Sequence, residues 1–222
     1  MLVTLSTLAS QQANPTEKTM ELTKWFLDYA ATHPNPILTY RKSDMVLAVH
    51  SDASYLSESK ARSRAGGHFF LSSDEKFPKD NGAVLTVSQI IKAVMSSAAE
   101  AELAALFINA REAIPARMAL ETMGHPQPKT PMQTNNSTAY GVVNSNIMPR
   151  RTKAQDMRFW WLRDREAQGQ FRIYWASGKD NRADYHTKHH CAAHHQMVRP
   201  RLFTSPQVVQ ALRASLRRRP HQ

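Results

Sequence analysis

Cysteine is almost absent from this 222-residue chain: Cys191 is the only one. A single thiol excludes a disulfide framework and any zinc site built mainly from thiolates. Glycine is scarce as well, with seven residues, two of them adjacent at Gly66-Gly67. No apolar run approaches the ~20 residues that span a bilayer. The first fifteen residues, MLVTLSTLASQQANP, lack the basic segment and long apolar core of a secretory signal. These absences predict a soluble protein of a reducing compartment. Acidic residues are also in deficit, 18 against 29 Lys and Arg, for a net charge of +11 and a pI near 10.0.

What is present is enough for a real core. The mass of 25.1 kDa and an apolar content of 41 % fit one large domain with appendages and argue against a wholly disordered chain. The positive charge points to nucleic acid or an acidic partner. It is uneven: residues 199–222 carry six arginines and no acid, which leaves +5 for the first 198 residues. The run Arg217-Arg218-Arg219 also suits a merely solvated tail.

Periodicity predicts a helix over 15–33, stopped by Pro34 and Pro36. MVLAVHSD, 45–52, reads as a central strand, apolar on both faces. Strands are expected at 65–72 and 83–87, then a long helix over 88–112 that Pro115 kinks or divides from a second piece. A strand near 132–135, helices over 137–145 and 153–168, a strand at 171–176 and a terminal helix complete an α/β order with a mixed sheet.

Three acids stand out on this order of elements. Asp52 lies at the carboxyl end of the presumed central strand, where open α/β sheets tend to place their ligands, although an aspartate there also caps turns. Glu102 has Ala98, Ala99, Ala105 and Leu106 at helical spacing, and a carboxylate on such a face needs a partner or a metal if it is buried. Glu100 points elsewhere, towards Ser96 and Ser97. Asp184 follows the last strand, in the first turn of a helix starting near Asn181, where it also complements a helix dipole. His190 and His194 form an i,i+4 pair able to bind zinc, with no acid near and Cys191 the one thiolate; a cationic, hydrogen-bonding surface is the plainer reading of the five histidines in 186–195. Phe159, Trp160 and Trp161 suit helix packing rather than base stacking.

An ordered set of short motifs then carries a resemblance. Ser51-Asp52-Ala53-Ser54, Arg64-Ala65-Gly66-Gly67-His68-Phe69, the run Ser96 to Leu106, Thr134 to Ala139, Arg151-Thr152-Lys153-Ala154 and Ala183 to Lys188 together resemble the ribonuclease H region of copia-type retrotransposon polyproteins. The resemblance implies a ribonuclease H-like α/β fold, with a mixed five-stranded sheet flanked by helices. It implies a connecting helical segment at 1–40, the end of a reverse transcriptase region, a domain at 41–195 and a basic tail at 196–222. The implied activity is hydrolysis of the RNA strand of an RNA–DNA hybrid by two Mg²⁺ or Mn²⁺ ions, in an intracellular setting such as a cytoplasmic particle or the nucleus. Its partners would be the hybrid and the reverse transcriptase part of the same polyprotein.

The family holds its metals with four carboxylates. Asp52, Glu102 and Asp184 match three, but the fourth position is Asn135, followed by Asn136. An amide brings no charge and cannot bind a metal bidentately, so the expected nuclease is impaired, or the domain is an inactive nucleic-acid-binding or structural remnant. His186 stands where the family has an apolar aromatic residue. Arg62, Arg64, Arg150, Arg151 and Lys153 are the expected contacts to the phosphate backbone, as phosphates are met by Lys and Arg.

Overall fold

The structure is a computed structural model and describes residues 1–144 and 156–204. In chain order its elements are α1 (Leu2–Ser10), α2 (Glu17–Thr32), β1 (Val46–Glu58), β2 (Arg62–Ser72), β3 (Ala83–Ile91), α3 (Ala98–Thr122), β4 (Thr130–Thr134), α4 (Ser137–Val143), α5 (Asp156–Ala167), β5 (Phe171–Trp175) and α6 (Ala192–Leu202). A 3₁₀ segment, Arg182–His186, lies between β5 and α6. Two compact units result: Lys42–Lys188, and Met1–Arg41 with His189–Gln222.

The smaller unit holds α1, α2 and α6. Thr16 caps α2, its hydroxyl accepting from the Thr19 N–H while the Thr19 hydroxyl accepts from the Thr16 N–H, a reciprocal arrangement that fixes the helix start. Ile37 and Thr204 form an antiparallel bridge. Tyr29 bonds His195 at 2.8 Å, and the rings of His190 and His194 stack with centroids 4.3 Å apart. No described helix is long and apolar enough to cross a membrane.

The larger unit is built on a five-stranded sheet ordered β3-β2-β1-β4-β5. β1 runs antiparallel to β2, β2 antiparallel to β3, and β1, β4 and β5 are parallel. This is the mixed α/β sheet that the sequence predicts. Leu47, Val49 and Phe69 meet Leu103, Leu106 and Ala110 of α3, Val143 of α4, and Phe159 and Leu162 of α5 in one buried core.

Several boundaries differ from expectation. The span 88–97 is not helical: Thr86 to Ile91 continue β3, paired to β2 as far as Ile91 opposite Ser63. Val87, Ile90 and Ile91 are β-branched and sit well on a pleated surface. Helix α3 begins instead at Ala98, where the Ser97 hydroxyl caps the Glu100 N–H, and it runs through Pro115 undivided to Thr122. The Glu100 carboxylate turns back to the Ser96 N–H at 2.7 Å, as its spacing suggests. Helix α1 has no counterpart in the sequence reading. Of the predicted helix over 153–168, residues 153–155 lie outside the described residues.

Gly66-Gly67 explains how both faces of β2 are covered. Consecutive strand residues point to opposite faces. A Cβ on Gly66 would come within 2.5 Å of the Ala183 carbonyl oxygen and 2.6 Å of Thr187 Cγ2, on the side of the 3₁₀ segment. A Cβ on Gly67 would collide with the Asn109 side chain on the side of α3. Asn109 is fully buried, and its Nδ2 donates to Ser51 Oγ and to the Gly66 carbonyl, each at 2.9 Å. Asn109 cannot yield without losing both bonds. Gly67→Ala therefore combines overpacking with broken buried hydrogen bonds. The variant is expected to lose roughly 2–4 kcal/mol of stability, seen as a lower urea midpoint at unchanged slope; an unchanged midpoint would mean that α3 moves freely over β2.

Candidate functional site

The three acids singled out in the sequence come together at one end of the sheet. Asp52 stands on β1 beyond its pairing with β4, which spans Val49 and His50. It is 3 % exposed. Its Oδ2 accepts from the Thr187 hydroxyl at 3.1 Å, and its Oδ1 accepts from Asn135 Nδ2 at 3.1 Å. Glu102 projects from the first turns of α3 and is 6 % exposed. Its Oε1 accepts from the Ala53 N–H at 3.3 Å, while its Oε2 is buried with no hydrogen-bond partner. Asp184 is carried by the 3₁₀ segment, where its Oδ1 meets Lys188 Nζ at 2.6 Å.

The position of Asp184 is fixed by how this segment is tied to the sheet. Asn181 caps it, its Oδ1 accepting from the Ala183 N–H, while Asn181 Nδ2 donates to the Ser51 carbonyl at 2.8 Å. The Arg182 N–H donates to His50 Nδ1 at 3.2 Å, and the Arg182 guanidinium pairs with Asp80. Ser88 Oγ donates to the His186 carbonyl at 2.8 Å, and Thr187 Oγ1 also bonds the Asp184 carbonyl at 2.8 Å. His186, polar where the resemblance implies an apolar ring, lies over His68 with centroids 6.3 Å apart and planes within 11°.

Crowding acids in a low-dielectric setting disfavours their charged forms. Burial first, then the facing Asp184, pushes the Asp52 carboxyl up to about 6. Burial first, then Asp52, pushes Glu102 up to about 9. The ammonium of Lys188 opposes both shifts, so its charge is felt across the whole cluster. The set can hold protons or a cation, and it offers three carboxylates to a metal.

Asn135 is where the resemblance places the fourth ligand, directly after β4 and beside Asp52. Its amide nitrogen faces Asp52 as a donor. Its backbone carbonyl accepts from Trp175 Nε1 at 3.0 Å, and Asn136 next to it caps α4 through the Ala139 N–H.

The expected phosphate contacts fare differently. Arg64 is a correction: its side chain is wholly buried in β2, with Nε on Glu58 at 2.6 Å and Nη1 on the Ser88 hydroxyl at 3.1 Å. It braces the sheet and cannot reach a phosphate. Arg62 is half-buried at the start of β2. Arg150, Arg151 and Lys153 lie outside the described residues, as do Arg213, Arg217, Arg218 and Arg219 of the basic tail. Residues that the sequence reading missed are Thr187, Asn109 and Lys188. For Lys188 a signal existed, its spacing of four from Asp184.

No family model matches the chain. In sequence it is similar to the retrovirus-related Pol polyprotein from transposon TNT 1-94 of Nicotiana tabacum, 26 % identical over 175 residues. The match covers 79 % of this chain and 13 % of that polyprotein, so the chain spans about an eighth of the relative's length. Among solved structures, LC11-RNase H1 isolated from compost has a TM-score of 0.49 at 12 % identity, over 64 % of this chain and 93 % of that one. The RNase H1 of Halobacterium salinarum has a TM-score of 0.40 at 16 % identity, over 64 % and 93 %.

Proposed function

From the relation to a retrotransposon Pol polyprotein, we propose that residues 42–188 are the ribonuclease H-like domain of such a polyprotein, acting on RNA–DNA hybrids with its cleavage impaired at Asn135. One observation carries this reading: Asp52, Glu102 and Asp184 converge at the sheet end, and Glu102 Oε2 is buried there without a partner. A buried, unsatisfied carboxylate oxygen facing two further acids is costly unless a cation meets it. Hard oxygen donors of this kind suit Mg²⁺ or Mn²⁺.

Divalent ions bound here would supply a nucleophilic water and stabilise the leaving oxygen of a phosphodiester. The chain's own residues prepare the donors. Thr187 fixes one oxygen of Asp52, and the Ala53 N–H orients Glu102. The links from Asn181 and Arg182 to β1 hold Asp184 at the same end of the sheet. Two adjacent dications need several negative oxygens around them. With an amide in the fourth position, its nitrogen towards Asp52, the set would hold a pair of dications less tightly than four carboxylates would. The same geometry favours a second reading, a domain kept for binding hybrid rather than for cutting it.

The reverse transcriptase part of such a polyprotein is the proposed covalent neighbour, and the excess of basic residues is the proposed source of hybrid affinity. A labelled RNA–DNA hybrid tests both readings. Binding is expected to weaken steeply with salt as counterions are released. Mg²⁺-dependent cleavage is expected to be feeble or nil, and whatever remains should disappear in Asp52→Asn. Salt-independent binding, or robust cleavage by the natural chain, would overturn this account.

A further inference from the structure

Resting on the reading of the carboxylate centre as a divalent-ion site, we propose that Lys188 is its built-in counter-cation, which holds Asp184 when no metal is bound and competes with the metal for it. Lys188 Nζ lies 2.6 Å from Asp184 Oδ1, four residues along the chain. The intervening Thr187 is bonded to both Asp52 and the Asp184 carbonyl. Lys188 is therefore anchored at the cluster's rim through its neighbour Thr187. An ordinary exposed ion pair contributes little. This one differs because its carboxylate, Asp184, faces Asp52, and the ammonium charge also favours the ionised forms of Asp52 and Glu102, which are nearly buried and burdened with mutual repulsion.

The exposures fit an exchangeable partner. The Lys188 side chain is 48 % exposed and that of Asp184 27 %, so the flexible stem can swing into water without leaving a buried charge behind. A lysine is a compact point charge with rotatable donors, whereas an arginine fork would lock a carboxylate more rigidly. A divalent ion brings more charge to the same oxygens and displaces the ammonium. Lys188 thus sets the metal concentration at which the centre loads. Its action is through Asp184, as a positioning and competing residue.

The test uses the full chain and Mn²⁺ alone, with bound metal read by calorimetry and by the Mn²⁺ resonance signal. Lys188→Gln is expected to bind Mn²⁺ about tenfold more tightly, since a unit charge a few ångströms from the ligands is removed. Metal-free, it should melt lower than the natural chain and gain more from added Mn²⁺. Lys188→Arg, which keeps the charge, should retain the natural affinity or bind more weakly still. If the natural chain binds Mn²⁺ in a manner abolished by Asp52→Asn, and Lys188→Gln binds no tighter, the counter-cation role is overturned while the centre stands. If neither the natural chain nor Lys188→Gln binds Mn²⁺, both readings fall.

Discussion

Asn135→Asp is expected to raise Mg²⁺-dependent cleavage of an RNA–DNA hybrid by at least ~10²-fold, the scale on which one well-placed electrostatic group contributes to such reactions. The amide and the carboxylate are nearly the same shape, and β4 ends at Thr134, so the substitution leaves the strand intact. What changes is the partner of Asp52. The natural side chain donates Nδ2 to Asp52 Oδ1 and so satisfies an oxygen that a metal would otherwise use. An aspartate there supplies a fourth negative donor and removes that competing proton. Without metal the variant should be slightly less stable near pH 8, by about 1 kcal/mol, because a carboxylate next to Asp52 replaces attraction with repulsion. Added Mg²⁺ should more than restore it. Hybrid affinity should change little. The gain in cleavage should vanish when Asp52→Asn is added. A folded, hybrid-binding Asn135→Asp protein with no gain would place the defect elsewhere in the site.

The parts of this site that were legible in the sequence are those set by local pattern. Asp52 closes a strand opened by the apolar run Met45 to Val49, and Glu102 shares a helical face with alanines; each pattern marks a candidate carboxylate without knowledge of the other. Their meeting was not readable from either pattern. It depends on β1, α3 and the 3₁₀ segment being brought together, and on Gly66-Gly67 allowing close approach on both faces of β2. As a charged residue Arg64 reads as a phosphate contact. Its burial follows from the pairing of β2 with β3, which sets Ser88 within reach of its guanidinium. The same extension of β3 was hidden because Ser88 to Val94 adjoins an Ala-rich helix of similar composition. Lys188 shows in the sequence only as a spacing of four from Asp184, and its role arises from what Asp184 faces.

Glu102→Gln should stabilise the metal-free protein at alkaline pH and leave it almost unchanged in acid. The carboxyl is raised from an ordinary 4.5 to about 9, through burial first and then the charge of Asp52. A raised folded-state value means that the folded protein binds the proton more tightly than the unfolded chain. Its contribution is fully present below about 4.5 and is lost as pH rises through 9. Asp52, raised from 3.8 to about 6, adds a smaller loss over a lower range. These two carboxyls should therefore subtract stability from the metal-free natural chain between pH 5 and 9, by up to ~1.4 kcal/mol per pH unit for each proton released, offset below pH 6.5 by His50, which burial holds down to about 3. Glutamine cannot ionise, yet its carbonyl can still accept the Ala53 N–H that Glu102 Oε1 accepts at 3.3 Å. Urea denaturation in the presence of a chelator should find the variant more stable by roughly 2 kcal/mol at pH 8, with the difference closing near pH 5. Divalent-ion affinity should fall at the same time, since one of three charged donors is gone. A variant destabilised by several kcal/mol at every pH, the scale of a broken buried ion pair, would make Glu102 a structural residue and remove it from the metal site.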